Sequence, residues 1–186
     1  KLALAGAAAG TALQSLVNTV MLPNNQVMDQ FRFWQTGNIG GVSWTDIRLL
    51  APYLVIGFVV SICMAAPLNT LGLGDEAATG LGLNVPLTRA FASLAGVLLC
   101  ASTTALAGPI SFVGLMVPHL FRLVIGPDMK KILPLSAIGG AALLLFADTM
   151  GRILGSPGEL ESGIVTALIG APVFILIIRK AKVKSL

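Results

Sequence analysis

The sequence has 186 residues, of which 55% are hydrophobic and only 11% are charged. Soluble domains carry about 25% charged residues, so this composition excludes an ordinary water-soluble fold. The net charge of +4 does not require a nucleic-acid partner, because membrane proteins retain Lys and Arg in their cytoplasmic loops.

Six apolar segments of near-spanning length follow one another along the chain, and they predict an all-α fold. We interpret residues 1–186 as a single transmembrane domain, a polytopic helical bundle with about six spanning helices. Because the third and fourth segments meet at Gly108 and Pro109, we expect them to form a tight helical hairpin or, alternatively, one kinked element. The segments are 2–22, 49–67, 90–107, 109–125, 132–152 and 163–178.

The first segment carries a polar stripe. Its polar residues recur at helical spacing and therefore share one face of the helix: Thr11, Gln14, Ser15, Asn18 and Thr19. Lipid offers these groups no hydrogen bonds, so the face should meet either a partner helix or a water-filled path. The residues alone leave both alternatives open.

The first long connection, 23–48, is rich in aromatic residues, which is typical of a membrane interface. Phe31, Phe33 and Trp34 are grouped in it, and Trp44 lies near its end. We predict a short interfacial helix around 27–34, followed by a glycine-rich turn at 37–41.

The second long connection contains the stretch LGLGDEAATGLGLN at 71–84, where Asp75 and Glu76 are set among glycine and alanine. We predict a short helix over 75–81, bounded by Gly74 and Gly82, with both acids in its first turn, where they complement the helix dipole. A solvated loop is the alternative. The connection is much longer than a link between two spans needs to be, which favours a docking element.

Basic residues predict the orientation of the chain. With the C-terminus in the cytoplasm, Arg32, Arg48 and Arg152 lie outside, whereas nine basic residues lie inside. The opposite orientation would reverse this bias, which the positive-inside rule disfavours. The helix at 75–81 is therefore predicted to be cytoplasmic. The nine residues are Lys1, Arg89, Arg122, Lys130, Lys131, Arg179, Lys180, Lys182 and Lys184.

The residues that could carry chemistry do not form a recognisable set. His119 is the only histidine, and the sequence contains no phosphate-binding loop, nucleotide fingerprint or HExxH pair. Cys63 and Cys100 fall within apolar segments, which is typical of small buried hydrophobic residues rather than of a disulfide or a metal site. The sequence thus predicts no catalytic, cofactor-binding or metal site, and a protein that is not an enzyme.

Five stretches resemble the FecCD-type permeases, the membrane subunits of ABC importers for iron-siderophores and cobalamin. The resemblance covers the whole chain but only the second half of a typical ten-helix permease, so the N-terminal helices are expected to be absent. The sequence departs from the family at Glu161 and Ser162, where Pro followed by Val or Ile is usual. The stretches are GNIGGVSW (37–44), LGLGDEAATGLGL (71–83), ALAGPISFVGLMVPHLFRL (105–123), LLLFADTMGRIL (143–154) and ELESGIVTALIGAPVFILIIRK (159–180).

The resemblance implies a permease subunit in a bacterial cell membrane that passes an iron-siderophore-type compound inward and needs no cofactor. Haem or cobalamin would be alternative cargoes, and a non-transporting membrane scaffold is the alternative from a different class. The implied partners are a second permease subunit, identical or paralogous, a cytoplasmic ABC ATPase dimer that hydrolyses the ATP, an extracytoplasmic substrate-binding protein and the lipid membrane.

The resemblance also implies roles for particular residues. The segment 75–83 would be a coupling helix that docks on the ATPase, with its small residues permitting close approach. Arg152 would dock the substrate-binding protein, and an internal ion pair with Asp148 is the alternative. The polar stripe would line the translocation pathway through Thr11, Gln14, Ser15 and Asn18. The residues of the coupling segment are Gly74, Asp75, Glu76, Ala77, Ala78, Gly80, Leu81 and Gly82.

Overall fold

The computed structural model describes residues 2–21, 23, 25–155, 158 and 160–183. Within these ranges the regular structure is helical and contains no strand, which confirms the all-α fold. The chain divides into two compact units, Lys1–Gln35 and Thr36–Leu186. The helices are α1 (Leu2–Met21), α2 (Asn25–Thr36), α3 (Trp44–Cys63), α4 (Ala65–Leu71), α5 (Asp75–Gly80), α6 (Val85–Ala107), α7 (Val113–Ile125), α8 (Met129–Leu154) and α9 (Ser162–Val183).

A helix lies within each of the six predicted segments, although α7 begins only at Val113. Among the described residues, α3, α6 and α8 are long and apolar enough to cross a membrane by length and composition. Two shorter apolar helices accompany them, α7 and the Ser162–Ile175 part of α9. Large apolar side chains such as Leu49, Val97 and Leu145 are exposed on the long helices, as expected of surfaces that face lipid.

The second predicted segment, 49–67, is divided between two helices. The helix α3 begins at Trp44, where Ser43 caps it by accepting a hydrogen bond from the Thr45 N–H, and it ends at Cys63. The next helix, α4, contains Pro67 in its first turn. Proline has no N–H to continue the hydrogen-bond pattern of α3, so the break occurs just before it. Hydropathy alone does not detect this break, because both helices are apolar.

The third and fourth predicted segments do not form a hairpin, and they are not one kinked helix. The helix α6 lies along α3, whereas α7 lies against α8 and α9. The five residues 108–112 separate α6 from α7, and at the two ends of this link Gly108 and Phe112 have positive φ angles of 73° and 67°. The prediction was wrong because Gly108 and Pro109 begin a longer link instead of forming a tight turn.

Small residues bring the long helices close together. A Cβ atom added to Gly57 of α3 would lie 2.8 Å from Cγ of Leu99 in α6. A Cβ atom added to Gly139 of α8 would lie 2.6 Å from a ring carbon of Phe121 in α7. A side chain at either position would require Leu99 or Phe121 to move, so the two glycines give these helix pairs room to pack closely.

The unit of residues 36–186 has two ends that differ in their connections. The α4–α5 end contains α4, α5, the start of α6 and the turn between α7 and α8, which are joined by side-chain contacts. The Arg152 end contains the segment 36–43, the link 108–112 and the end of α8. There the Asn38 N–H donates to the Ala107 carbonyl (2.9 Å), and the Gly163 N–H donates to the Gly37 carbonyl (2.9 Å).

The predicted orientation assumed that successive connections between spans lie on alternating sides of the membrane. The grouping of the connections at the two ends agrees with this assumption. That the α4–α5 end faces the cytoplasm stays a prediction. Two of the basic residues used for it lie outside the described residues, Lys1 and Lys184, as do the side chains of Arg179, Lys180 and Lys182.

Candidate functional site

The short helix predicted over 75–81 is present as α5, Asp75–Gly80, with Leu81 as its C-cap residue. Gly74 precedes it with a φ of +101°, a conformation that L side chains rarely adopt. At the other end Gly82 has a φ of +83°. Its N–H donates to the Thr79 carbonyl (2.9 Å) and the N–H of Leu83 donates to the Ala78 carbonyl (3.0 Å). This pair of bonds is a Schellman motif, so the two glycines fix both boundaries of the helix.

Most residues of α5 are exposed, but Ala78 is not. Ala78 has 0% of its surface exposed, so it packs α5 against the rest of the chain and offers no direct surface to a partner in this structure. Among the small residues expected to permit close docking, Ala77 and Gly80 are exposed and remain candidates for that role. A helix of six residues is too short for its buried face to be recognised from the spacing of apolar residues.

Two leucines flank α5 and are largely exposed. Leu73 is 68% exposed and Leu81 is 69% exposed, although both lie outside the helices that are long and apolar enough to span a membrane. Exposed apolar side chains outside the lipid-facing surface are typical of a surface that meets a partner. Leu81 was among the residues predicted from the sequence, whereas Leu73 was not, although it is an isolated apolar residue between two glycines.

An ion pair joins α5 to α6. Nη2 of Arg89 lies 2.8 Å from Oδ1 of Asp75, and both side chains are exposed. Such surface pairs contribute about 0.2–1 kcal/mol at most. The pair therefore orients the first turn of α5 more than it stabilises the fold.

A groove of about 510 Å³ opens beside α4 at the same end of the unit. Across it, Nδ2 of Asn69 donates to Oδ1 of Asp128 (2.6 Å), and the Met129 N–H donates to Oδ1 of Asn69 (2.7 Å). The hydrogen bond from Asn69, followed by that from the Lys130 N–H, lowers the pKa of Asp128 below its ordinary value. The groove is lined by Leu68, Asn69, Gly72, Leu73, Arg122, Pro127, Asp128 and Met129.

Neither Asn69 nor Asp128 was predicted from the sequence to belong to a site. Asp128 follows Gly126 and Pro127 and directly precedes a helix, which is the pattern of an N-cap residue. Asn69 has no comparable local signal, because its partners lie 59 and 60 residues further along the chain.

The ion pair between Arg152 and Asp148 is present. Nε of Arg152 lies 2.9 Å from Oδ2 of Asp148, and Oδ1 of Asp148 accepts a hydrogen bond from Oγ of Ser162 (3.0 Å). Ser162 is only 1% exposed, whereas the Arg152 side chain is 52% exposed. Nη2 of Arg152 also lies 3.2 Å from the position that a Cβ atom would take on Gly40. The guanidinium is thus held at the surface beside the turn at 38–41.

The polar stripe lies on the continuous helix α1, in the unit of residues 1–35. Nε2 of Gln14 donates to Oδ1 of Asn18 (3.2 Å), so the structure brings these two amides together. The hydroxyls of Thr11 and Ser15 donate to carbonyls one turn earlier, at Ala8 and Thr11. Within the helix, the hydroxyls are thus satisfied by backbone carbonyls, and the Gln14 and Asn18 amides are bonded to each other.

The residues that could carry chemistry remain apart. Among the described residues, no three His, Cys, Asp or Glu side chains are grouped as a metal site would require. His119 places Nδ1 3.0 Å from the Leu115 carbonyl and its ring against Phe174 of α9. Cys63 and Cys100 are free thiols, and they are exposed rather than buried. The burial prediction was wrong because an apolar segment in a membrane helix can face lipid as well as a core.

Comparisons with known proteins identify the family of the chain. The model of the FecCD transport family matches residues 1–180. The Fe(3+)-citrate import system permease protein YfmD of Bacillus subtilis is 42% identical over 182 residues, covering 98% of this chain and 54% of the relative. The ferric enterobactin transport system permease protein FepD of Escherichia coli is 41% identical over 181 residues, covering 97% of this chain and 54% of the relative.

A solved structure described as an inward-facing conformation of a metal-chelate type ABC transporter also matches. The two structures superpose with a TM-score of 0.80 at 30% sequence identity, over 91% of this chain and 55% of the other. The chain thus spans about half the length of the relatives that it matches. The match of sequence, motifs and structure shows that the chain belongs to the FecCD transport family.

Proposed function

We propose that the chain is the C-terminal part of a permease subunit of an ABC importer, which passes an iron-siderophore-type compound inward through a bacterial cell membrane. The names of the relatives, which refer to ferric citrate and ferric enterobactin, support an iron chelate as the cargo. Haem or cobalamin is the alternative cargo within the family. The C-terminus of the chain would face the cytoplasm, as its basic residues predict.

The observation that carries the proposal is the surface formed by α5 and its flanking leucines, which we call the α5 surface. It consists of Leu73, Asp75, Glu76, Ala77, Gly80 and Leu81, all exposed and all outside the candidate spans. A scaffold that only lies in the membrane needs no such apolar and acidic surface beyond the bilayer. A cytoplasmic ATPase dimer that hydrolyses ATP and transmits its closure to the permease does need one.

Two further partners follow from the same function. A substrate-binding protein would deliver the cargo at the Arg152 end, where the exposed Arg152 guanidinium offers a positive charge. A second permease subunit would face this one across the pathway. The stripe of Thr11, Gln14, Ser15 and Asn18 would supply polar groups to that pathway, since amides and hydroxyls can replace water around a hydrophilic chelate.

The experiment that tests this function is uptake of radiolabelled ferric citrate, ferric enterobactin, haemin and cobalamin by cells with and without the full-length gene. We expect uptake of an iron chelate to depend on the gene and on ATP. If the gene and ATP were required for uptake of haemin or cobalamin instead, the protein would still be part of an importer, but with a different cargo. Co-purification with the ATPase subunit in detergent separates the importer from the scaffold, because a scaffold would bring no ATPase with it.

A further inference from the structure

The side chain of Asn69 connects α4, the helix that precedes α5, to α8, the longest helix among the described residues. Nδ2 donates to the Asp128 carboxylate at 2.6 Å, while Oδ1 accepts from the Met129 N–H at 2.7 Å. One amide thus holds both the N-cap residue and the first residue of α8. We propose that Asn69 is a positioning residue for coupling, a latch through which movement of α4 and α5 reaches α8. This inference rests on the proposed function, because it supposes an ATPase that moves α5.

The path of contacts supports the latch. The helix α5 contacts α4 and α6, and α4 in turn contacts α8. Between α4 and α5 the chain turns tightly, since the Gly72 N–H bonds back to the carbonyls of Leu68 and Asn69 (both 3.1 Å). Movement of α5 is therefore conveyed to α4 by a short, hydrogen-bonded link, and Asn69 lies at the end of that link nearest to α8.

The helix α8 is suited to carry the movement further. It contains 26 residues, which corresponds to about 39 Å of α-helix. Its last two turns hold Arg152, the residue proposed to meet the substrate-binding protein, and its ion-pair partner Asp148. Its sides contact α7 and α9. A displacement applied at Asp128 and Met129 would thus reach the Arg152 end along one continuous helix, which contains Pro134 near its start.

The chemistry at position 69 requires both a donor and an acceptor. A carboxylate there could accept from the Met129 N–H, but it would also face the Asp128 carboxylate without a proton between them, and two like charges at this distance repel. An apolar side chain would make neither bond. Asparagine is therefore matched to the pair formed by an acceptor at Asp128 and a donor at Met129.

Loss of the latch should leave α8 folded. Oδ1 of Asp128 also accepts a hydrogen bond from the Lys130 N–H at 3.0 Å, so Asp128 remains the N-cap of α8 when Asn69 is changed. The latch is only partly buried, and water can therefore reach the Met129 N–H. An effect of Asn69 on transport is for this reason separable from an effect on folding.

The test exchanges the two side chains. The full-length permease is reconstituted in liposomes with its ATPase and binding protein, and uptake of the ferric chelate that the wild type carries, ferric citrate or ferric enterobactin, is measured per ATP hydrolysed. We expect Asn69→Asp to lower this ratio about tenfold or more, the effect of losing a hydrogen bond to a charged group. Asp128→Asn should have a smaller effect, because its amide oxygen can still accept from Asn69 and Lys130.

The double variant Asn69→Asp, Asp128→Asn is the decisive one. It restores a donor facing an acceptor in the reverse direction: the new amide at 128 donates to the new carboxylate at 69, which still accepts from Met129. We expect it to recover most of the wild-type ratio. The latch would be overturned if Asn69→Asp left the ratio of uptake to ATP hydrolysis unchanged. It would also be overturned if Asn69→Asp lowered uptake, hydrolysis and melting temperature together and the double variant restored none of them. A wild type that takes up none of the four compounds, ferric citrate, ferric enterobactin, haemin or cobalamin, would instead refute the proposed function.

Discussion

Arg89 holds Asp75 at 2.8 Å, and this ion pair fixes the first turn of α5 to the first turns of α6. Ala78, three residues further along the same face of α5, is fully buried and provides a second anchor. Two anchors of different kinds thus set the orientation of a helix only six residues long. As a result, Leu73, Ala77 and Leu81 are presented outward, which is the arrangement that a docking helix requires.

The first prediction compares two adjacent alanines of α5. Ala77→Trp should leave the melting temperature of the purified full-length permease unchanged, because Ala77 is exposed, but it should obstruct the α5 surface and weaken binding of the ATPase. Ala78→Trp should instead destabilise the permease by about 1–3 kcal/mol, since it forces a large ring into a filled space.

The measurements are thermal unfolding in detergent and titration of the permease with its ATPase. The two variants add the same side chain one residue apart, so each is the control for the other. Wild-type affinity in Ala77→Trp would remove α5 from the proposed interface. Equal destabilisation by both variants would contradict the finding that Ala78 is buried and Ala77 is exposed.

The second prediction concerns the pH dependence of Asp128. Hydrogen bonds from Asn69 and from the Lys130 N–H lower its pKa in the folded protein, with help from the charges of Lys131 and Lys130 and against the effect of burial. A carboxyl group with a lowered folded pKa stabilises the fold above its unfolded pKa of 3.8. That stabilisation is lost as the pH falls through the lower, folded value.

The measurement is thermal unfolding of the wild type and of Asp128→Asn between pH about 6 and about 3. The stability advantage of the wild type should be constant at the upper end of this range and should shrink toward the lower end. The Asn variant keeps the hydrogen-bond acceptor but cannot titrate, so it isolates the charge. A difference that does not change with pH would contradict the lowered pKa.

The boundaries of α5 were predictable because two glycines with positive φ surround it, and glycine is the residue that marks such positions in a sequence. The positions of the apolar helices were predictable from hydropathy, because a run of apolar residues is also a local signal in the sequence. The link 108–112 was not, because its length depends on how α7 packs against α8 and α9. The hydrogen bonds of Asn69 were not predictable either, because they join residues far apart in sequence.

The third prediction concerns the polar stripe of α1. Gln14→Leu should lower uptake while leaving the melting temperature of the complex unchanged, because the Gln14 amide would line the pathway and its bond to Asn18 is an exposed one. Leu16→Met, a conservative change on the other side of α1, is the control and should alter neither quantity. If the stripe serves packing, Gln14→Leu should lower the melting temperature first. Normal uptake together with normal stability would exclude both roles.

The last prediction concerns Arg152, whose guanidinium is bound to Asp148 and still half exposed. Charge on a docking surface governs the rate of association and its salt dependence more than the later steps of a cycle. We therefore expect Arg152→Glu to weaken binding of the substrate-binding protein, with the largest loss at low ionic strength, while basal ATP hydrolysis by the assembled permease and ATPase persists.

The variant also places two carboxylates together, so Arg152→Glu with Asp148→Asn is the matched control, and it should bind as weakly as Arg152→Glu alone. Affinity measured across a salt series decides the matter. An affinity that equals the wild type at every salt concentration, or that the change at Asp148 restores, would leave Arg152 with a role only in the cluster of Asp148 and Ser162.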